Sequence, residues 1–356
     1  MKISETNKFV KTIILTSTIL AIVLSSMYLL EYFLNPPQNK PLNGKIGGYV
    51  FTWGHLVKNN RYGFRERNFQ KLKPEGIYRI MVLGDSLTWG VGLDVNQRYT
   101  AITEKLLNQS EQLNQLLNGS KFEVLNFGIP GGPTIRERDV LFHLKSIVDP
   151  DLIVVGFCLN DPKIKSESYS VEKEQFNKLI ITQMVLKISK GLTHIRLPYW
   201  GGILNMSYFK FAEKIGIIPT WVQSMQRSYE IESVEWEYFI RALTDIKGMS
   251  DELNLDPPIF SILNQPVYST KPTNYRSPDK RVKQYIKWFR QAQEAAEKIG
   301  FIAYHHENEI SEQLQDEILT INEWDGHPSE NLHRVYGEKL FRVIEQQLID
   351  ASGESV

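Results

Sequence analysis

The chain has 356 residues, of which 42% are hydrophobic, and its 41 lysines and arginines balance 41 aspartates and glutamates. This apolar content is enough for a sizeable core and excludes wholesale disorder. The zero net charge gives no argument for binding to nucleic acid or to an anionic surface. The single cysteine, Cys158, excludes an intramolecular disulfide, and its position inside an apolar run predicts a buried, inert thiol.

The first predicted element is an apolar segment near the N-terminus. Residues Thr12 to Leu30 include no charged side chain, and a helix needs about 20 apolar residues to cross a bilayer. Three lysines and one glutamate precede this segment, so the N-terminus is expected in the cytoplasm and the rest of the chain outside. A cleaved signal peptide is the alternative, but the segment is long for one and lacks an Ala-x-Ala site. We therefore expect an uncleaved single-pass anchor over residues 1–35.

A short linker and one large domain are predicted to follow the anchor. The prolines and glycines of residues 36–48 break the helix and are typical of a linker. Aromatic and basic residues are dense between positions 50 and 70. We expect this lead-in to pack on the edge of a domain that covers residues 49–356.

Strand-length apolar runs alternate with helix-period segments from residue 79 onward. Strands are predicted at Arg79–Leu83, Phe122–Phe127, Leu152–Phe157, Pro258–Leu263 and Phe301–His305. Helices are predicted at Tyr99–Leu117, Thr134–Ile147, Val282–Ile299 and Val335–Leu348. This alternation predicts a five-stranded parallel sheet with right-handed crossovers.

The interval from Lys163 to Leu255 interrupts the alternation. It is far longer than the roughly 30 residues of one strand–helix–strand unit, and it contains helical segments and an aromatic stretch between Tyr199 and Trp221. We expect a helical insertion over residues 163–255 that covers the functional site. The aromatic stretch is expected to pack against the core, with contact to the membrane as the alternative.

A candidate nucleophile directly follows the first predicted strand, in the tetrapeptide Gly84-Asp85-Ser86-Leu87. Ligands bind open α/β sheets beyond the carboxyl ends of the strands, and a serine used there needs a neighbouring base. Among the seven histidines, His327 is preceded two residues earlier by a carboxylate, follows a glycine that permits a tight turn, and is followed by a predicted helix. Asp325 would orient the imidazole, so that its second nitrogen takes the proton from Ser86.

Candidate oxyanion donors lie in three loops that follow neighbouring strands. They are the backbone N–H of Ser86, a glycine N–H in Gly131-Gly132 and the side-chain amide of Asn160.

No cofactor or metal ion is expected. The glycine-rich stretch from residue 84 to 92 lacks the Lys-Ser/Thr ending of a phosphate loop. His305 and His306 are adjacent on a predicted strand and point to opposite faces, which disfavours a shared ion.

Four blocks of the chain together resemble the SGNH/GDSL hydrolase superfamily. They are Gly84-Asp85-Ser86-Leu87, residues 126–131, residues 156–161 and the segment around His327. The resemblance implies a flavodoxin-like three-layer α/β/α fold with Ser86 as nucleophile and first oxyanion donor. It also implies oxyanion roles for Gly131 and Asn160, and the role of the base for His327.

The last block departs from the family pattern. The family has its aspartate three residues before the histidine, where this chain has Trp324. Asp325, two residues before the histidine, is the preferred orienting carboxylate, and Glu323 is the alternative.

The resemblance implies a serine esterase that acts through an acyl-enzyme on an O-acylated glycan or a small ester, with a preference for short acyl chains. The lead-in Tyr62-Gly63-Phe64-Arg65 is similar to membrane-anchored bacterial members, some of which act on acylated surface polysaccharides. Two alternatives stay open: an O-acyltransferase of a surface polysaccharide and a catalytically silent glycan-binding module. The expected partners are thus the substrate and, through the N-terminal helix, the membrane; nucleic acid is not among them.

Overall fold

The computed structural model describes residues 2–34, 43–46, 48–164, 171–264, 280–314, 317–322 and 325–353. The helices are α1 (Lys2–Leu34), α2 (Ser86–Trp89), α3 (Tyr99–Gln109), α4 (Glu111–Leu116), α5 (Thr134–Val148), α6 (Val171–Lys178), α7 (Ile180–His194), α8 (Pro198–Lys214), α9 (Trp221–Ser228), α10 (Val234–Glu252), α11 (Lys280–Ile299), α12 (Glu307–Gln313) and α13 (Glu330–Ser352). The strands are β1 (Gly44–Ile46), β2 (Tyr49–Thr52), β3 (His55–Leu56), β4 (Ile77–Gly84), β5 (Lys121–Gly128), β6 (Leu152–Phe157), β7 (Ile259–Ile262), β8 (Ile302–His305), β9 (Thr320–Asn322) and β10 (Asp325–Pro328). Most of the predicted linker and the reserve carboxylate Glu323 lie outside the described residues.

A five-stranded parallel sheet organises the larger part of the chain, as predicted. Its strand order is β5-β4-β6-β7-β8, and every neighbouring pair is parallel. Counted along the chain, this is the order 2-1-3-4-5 of flavodoxin-like folds. The order reverses between β4 and β6, and ligands bind open sheets at such a switch point.

Helices cover both faces of this sheet. Helices α3 and α13 pack together on one face, and α5, α10 and α11 lie on the other. Alternate residues of β4 supply the two faces: Ile80 and Val82 join one buried cluster with Leu107 of α3 and Leu340 of α13. Because β6 and the part of β4 from Ile80 onward are buried on both faces, their sequences are continuous apolar runs. The predicted three-layer α/β/α architecture is therefore confirmed.

Two predicted helices differ from the observed ones. The prediction of one continuous helix over Tyr99–Leu117 is wrong, because the structure has two helices that are separated at Ser110. The hydroxyl of Ser110 accepts a hydrogen bond from the N–H of Leu113 and caps α4. A serine competes for backbone N–H groups in this way, so it favours a new helix start over the middle of a helix. The last helix starts at Glu330, earlier than predicted, because Ser329 caps it.

Two small antiparallel sheets were not predicted. Strands β1, β2 and β3 form a meander within the lead-in, and β9 pairs with β10 just before α13. Their strands have two to four residues, too few for alternation to be read from the sequence.

Helix α1 belongs to a second unit with α6, α7, α8 and the start of α9. Helices α7 and α8 form an antiparallel hairpin: Ser189 Oγ donates to the carbonyl of Gly201 at 2.7 Å, and the hydroxyls of Thr182 and Tyr208 lie 2.9 Å apart. Tyr208 also stacks on Phe176 of α6. Tyr208 of the aromatic stretch thus packs within this unit.

Residues Val10 to Phe33 of α1 form a helix long and apolar enough to cross a membrane, with a mean hydropathy of 2.2. Such a helix near an N-terminus is compatible with a membrane anchor and with a signal sequence.

Candidate active site

Ser86 opens α2, which begins immediately beyond the end of β4. The preceding residue, Asp85, caps the helix through its side chain, which accepts a hydrogen bond from the N–H of Leu87 at 2.8 Å. The N-cap geometry turns the chain sharply away from the strand. Ser86 thus lies at the carboxyl edge of the sheet, and it is 7% exposed.

Glycines at three strand ends make room for α2. Gly84 of β4 pairs with Gly128 of β5 on one side and with Gly156 of β6 on the other. A Cβ on Gly84 would lie 2.0 Å from Thr88 Oγ1, and one on Gly128 would lie 2.4 Å from the backbone nitrogen of Trp89. Only glycine permits such a close approach of helix and strands. Gly84, Gly128 and Gly156, one from each of the first three sequence motifs, therefore form the surface on which α2, the helix that carries Ser86, packs.

Asp85 connects the nucleophile loop to the loop that follows β6. Its Oδ2 accepts a hydrogen bond from Ser86 Oγ at 3.0 Å and one from Asn160 Nδ2 at 3.3 Å. Asn160 is 2% exposed and follows β6 directly. The structure thus brings the side chains of Ser86 and Asn160 to one carboxylate, as expected if both face the same reacting group.

The Gly131 loop lines a cleft on the same side of the sheet. Gly131 has a φ of 69°, and the N–H of Gly132 donates to the carbonyl of Ile129 at 2.8 Å in a tight turn. The cleft has a volume of about 470 Å³. Its lining combines apolar and charged residues, which are Ile129, Pro130, Gly131, Gly132, Pro133, Ile135, Arg136, Asp139 and Ile164.

His327 and Asp325 lie together on β10, which contacts α2. His327 Nδ1 is 2.5 Å from Asp325 Oδ1. The same Asp325 oxygen accepts a hydrogen bond from the backbone N–H of His327 at 3.1 Å. This double contact fixes the ring relative to the carboxylate, with Nδ1 as the hydrogen donor to Asp325 and Nε2 as the remaining proton acceptor.

Trp53 binds the other oxygen of Asp325. Its indole Nε1–H donates to Asp325 Oδ2 at 2.7 Å. Burial opposes ionisation of this carboxyl, but hydrogen bonds from His327 and Trp53 outweigh the burial, and the pKa of Asp325 lies below its usual value. Asp325 is therefore held as a carboxylate with both oxygens engaged.

The lead-in also fixes the loop that follows α2. The guanidinium of Arg65 is buried and donates to the carbonyls of Gly90 and Leu93 at 2.8 and 2.5 Å. The N–H of Gly92 donates to Thr52 Oγ1 at 2.8 Å. Burial lowers the pKa of Arg65 to about 10, where the side chain is still charged at neutral pH. The lead-in thus contacts both the nucleophile loop and Asp325.

An acidic cluster lies beneath Ser86. Asp85, Asp161 and Glu137 are each about 1% exposed or less, and Cys158 is fully buried beside them. Burial, reinforced by the neighbouring carboxyls, raises the pKa of Asp161 and of Glu137 well above their usual values. Burial likewise raises the pKa of the Cys158 thiol, which fits the predicted inert cysteine.

The same cluster brings together three atoms that are metal ligands in other proteins. One ligand atom each of Asp85, Cys158 and Asp161 lies within 4.8 Å of the other two. Their atoms already have partners within the cluster, however: the N–H of Cys158 donates to Asp161 Oδ2 at 2.9 Å, and the thiol contacts Asn160 Oδ1 at 2.7 Å. We assign no metal to these residues.

Sequence reasoning missed Trp53 and the bridging role of Asp85. Trp53 lies 272 residues before Asp325 in the chain, and a lone tryptophan in a turn has no local pattern that points to such a contact. Its one unusual feature, a positive φ of 45°, is visible only in the structure. Asp85, by contrast, is part of the tetrapeptide, and its N-cap position before a helix is readable from the sequence.

Comparison with known proteins gives a family match. The model of the GDSL-like lipase/acylhydrolase family matches residues 82–335, a range that includes Ser86, Asn160, Asp325 and His327. No curated protein matches the chain.

Several solved structures resemble the chain at low identity. TesA is 14% identical over 76% of this chain and 99% of its own, with a TM-score of 0.41. A catalytic mutant of Axe2, an acetylxylan esterase from Geobacillus stearothermophilus, is 13% identical over 78% of this chain and 96% of its own, with a TM-score of 0.41. The native M. smegmatis aryl esterase is 15% identical over 76% of this chain and 99% of its own, with a TM-score of 0.37.

Proposed function

The chain belongs to the GDSL-like lipase/acylhydrolase family, and we propose that it is a serine esterase in which Ser86, His327 and Asp325 form the catalytic triad. The observation that carries this proposal is the contact of β10 with α2, which brings the hydrogen-bonded pair of His327 and Asp325 against the helix that begins with Ser86. Triads are recognised by such roles and geometry and not by sequence position.

The reaction follows from the chemistry of these groups. The hydroxyl of Ser86 leaves its hydrogen bond to Asp85 and transfers its proton to His327 Nε2, while Oγ forms a bond to the ester carbonyl carbon. The carbonyl oxygen becomes an oxyanion that accepts hydrogen bonds from the backbone N–H of Ser86, the Gly131 loop and the amide of Asn160. Removing one such donor typically costs about 2.7–4 kcal/mol of transition-state stabilisation.

The second half of the reaction regenerates the enzyme. The imidazolium of His327 gives its proton to the departing alkoxide, which leaves an acyl-enzyme on Ser86. Water then loses a proton to His327 and attacks the acyl carbon, and the acid is released as Ser86 recovers its proton. Asp325 stays ionised throughout and stabilises the imidazolium, in keeping with its lowered pKa.

We propose an O-acylated glycan or a small ester as the substrate, with a short acyl chain. The cleft beside Gly131 supports this choice: it is lined by a proposed oxyanion donor, though not by Ser86, Asn160 or His327, and its volume of about 470 Å³ suits a small ligand. Its charged residues Arg136 and Asp139 offer hydrogen-bond partners for sugar hydroxyls.

We further propose that α1 is an uncleaved anchor and that the catalytic domain lies outside the cytoplasm. The charge distribution around the apolar helix supports this orientation. Direct hydrogen bonds between α1 and the α7–α8 hairpin support retention, since a cleaved peptide would leave them unmade.

Turnover of acetyl esters by the full-length chain tests the proposed activity. We expect aryl acetate and an acetylated xylo-oligosaccharide to be hydrolysed, and Ser86→Ala to lower kcat by at least about 10³-fold. Ser120→Ala, which changes a serine just before the amino end of β5, is the matched control and should retain activity. Full activity of Ser86→Ala would refute the assignment. Acyl transfer to added sugar in place of acid release would identify an O-acyltransferase.

A further inference from the structure

Helix α7 carries a continuous row of exposed apolar side chains. Ile180, Met184 and Ile188 are spaced four residues apart and are 80%, 56% and 53% exposed, so they lie on one side of the helix. Ile181 and the C-capping Ile195, which are 61% and 48% exposed, extend the same side. These five residues are called the α7 apolar row here. Contiguous exposed apolar residues mark a binding surface for a protein or a membrane.

Basic residues run along one edge of the α7 apolar row. Lys187, Lys190 and His194 follow Gln183 at helical spacing and share the neighbouring side of α7. Thr182, on the opposite side of the helix from Met184, is fully buried. An apolar row with a basic edge and a buried back is the pattern of a helix that lies in a membrane interface. Lysine stems extend along such a surface while their ammonium groups reach the headgroups.

The C-terminal end of α7 and the start of α8 contact α1 near its C-terminal end. Tyr28 of α1 donates its hydroxyl proton to the carbonyl of Ile195 at 2.5 Å. Trp200, in the first turn of α8, donates its indole N–H to the carbonyl of Met27 at 3.0 Å. Glu31 of α1 is 7% exposed, and its Oε2 lies 3.4 Å from the backbone nitrogen of Trp200. Each contact is at the last two turns of the apolar helix, where an outer interface would lie.

The residues at this junction are those that favour interfaces. Tyrosine and tryptophan are enriched at the level of the lipid headgroups, where one end of the ring is apolar and the other is hydrated. The first charge after the uncharged segment Thr12–Leu30 is Glu31, which sets the limit of the hydrocarbon region. The α7–α8 turn is therefore bonded to the part of α1 at which the uncharged segment ends.

We infer that the α7 apolar row lies on the outer surface of the bilayer that α1 spans, so that the α7–α8 hairpin is an interfacial element. The inference rests on the proposed anchoring of α1. Its occupant is the lipid: the row lies on a hairpin that is hydrogen-bonded to the last turns of α1, whose apolar side chains are exposed, and its basic edge complements anionic headgroups. The α1–α7 contacts and the basic edge favour lipid over a second copy of the chain.

Lipid exposure of single cysteines in the full-length chain tests the inference. The chain is reconstituted into liposomes that contain anionic phospholipid, with an environment-sensitive fluorophore at Met184→Cys or at Ile188→Cys. Gln183→Cys, on the basic side of α7, is the matched control, and Leu20→Cys reports insertion of α1. The unchanged chain is the labelling blank, because Cys158 is fully buried. Hydrolysis of aryl acetate by each labelled variant checks that the chain is folded.

We expect a quencher carried on the lipid acyl chains to reduce emission at positions 184 and 188 by about half, and at position 183 by only about a tenth. A water-soluble quencher should give the reverse order. The inference would be overturned if the lipid quencher reduced emission at position 20 while only the water-soluble quencher reduced emission at positions 184 and 188. That result would leave the proposed anchor intact. Emission at position 20 unaffected by lipid would overturn both. Shielding of 184 and 188 from both quenchers would indicate a protein contact and also contradict the inference.

Discussion

Among single residues, Asp325 is the one on which the proposed triad most depends. One oxygen of its carboxylate binds His327 twice and the other binds Trp53. A carboxylate with both oxygens engaged can hold the imidazole in one tautomer and one orientation. The family spacing would put the aspartate one residue earlier, and the observed contacts are the physical reason to prefer Asp325.

Asp325→Asn should lower kcat by about 10³–10⁴-fold, because an amide at this position stabilises the wrong tautomer of the imidazole. Steady-state hydrolysis of aryl acetate measures the effect. Glu323→Gln is the comparison, and we expect a loss of less than about 3-fold. If Glu323→Gln lowered kcat more than Asp325→Asn did, Glu323 would be the orienting carboxylate.

Trp53→Phe should lower kcat/KM by about 10-fold, the effect expected for losing one hydrogen bond to a charged group. Without the indole donor the pKa of Asp325 rises, so the loss of activity at low pH should begin at a higher pH. The pH profile of kcat/KM measures both changes. Trp200→Phe, which removes an indole N–H bonded to a backbone carbonyl in the other unit, serves as the control. If kcat/KM of Trp53→Phe began to fall at the same acidic pH as that of the unchanged chain, Trp53 would have a packing role only.

The catalytic candidates could be chosen from the sequence because each lies in a short motif next to a recognisable strand or helix. Ser86 follows β4, Asn160 follows β6 and His327 precedes α13. Trp53 could not be chosen, because its role comes from a contact with a residue 272 positions away. A sequence pattern reports local structure, and this contact depends on how the meander β1–β3 packs.

At the scale of elements, the predicted strands were reliable and the helix ends were not. Strands β6 and β7 are buried along their whole length and β4 from Arg79 onward, and such long buried runs are a strong signal in the sequence. The break at Ser110 depends on one side-chain hydrogen bond, which competes closely with continued helix. Helix α2 packs so closely on the strand ends that side chains would not fit there, which explains the glycines at positions 84, 128 and 156.

Helix α5 contains an acidic residue that works against stability at high pH. Glu137 lies in its first turn, is 1% exposed, and has a pKa raised well above the usual value by burial and by the charge of Asp85. Below the pKa of the unfolded chain both states hold the proton. As the pH rises further, the unfolded state ionises first, so stability falls.

Glu137→Gln should therefore raise the free energy of unfolding at pH 8 by at least about 1 kcal/mol and change it little near pH 4.5, since a tenfold change in proton affinity corresponds to about 1.4 kcal/mol. Urea unfolding of the detergent-solubilised chain measures both values. Glu111→Gln changes an exposed glutamate in the first turn of α4 and should have almost no effect. A lower stability for Glu137→Gln at pH 8 would show that the carboxylate is needed in the folded state.

At the scale of the whole molecule, two buried histidines lower the free energy of unfolding at acidic pH. Both lie on the face of the sheet that α13 covers, where His306 Nδ1 is 2.8 Å from the carbonyl of Ile262 and His333 Nδ1 accepts from the N–H of Tyr99 at 3.1 Å. Burial lowers the pKa of His306 to about 4 and that of His333 to about 3. Above pH 6.5 both states are neutral; below it the unfolded state takes up protons first.

The free energy of unfolding should therefore fall as the pH drops from 6.5 to about 4, by about 3 kcal/mol for His306 alone. His333→Gln retains an acceptor for the N–H of Tyr99 and should make this fall smaller. His143→Gln, at an exposed position on α5, should leave it unchanged. An equally steep fall in His333→Gln would exclude His333 as a source of the acid sensitivity.

The organisation of the chain into two units was only partly predictable. The apolar segment and the helical insertion are visible in the sequence, but the hydrogen bonds that join α1 to the α7–α8 hairpin link residues 167 and 173 positions apart. Amphipathicity alone does not distinguish packing on a protein from packing on lipid. The exposure of the α7 apolar row is visible only in the structure.

The central claim is that Ser86 is the nucleophile and that His327 activates it. Peptide mapping by mass spectrometry after treatment of the native full-length chain with a fluorophosphonate tests it most directly. We expect a single phosphonyl adduct on Ser86, formed at least about 10²-fold more slowly in His327→Ala. An adduct on another residue, or a rate unchanged by the loss of His327, would contradict it.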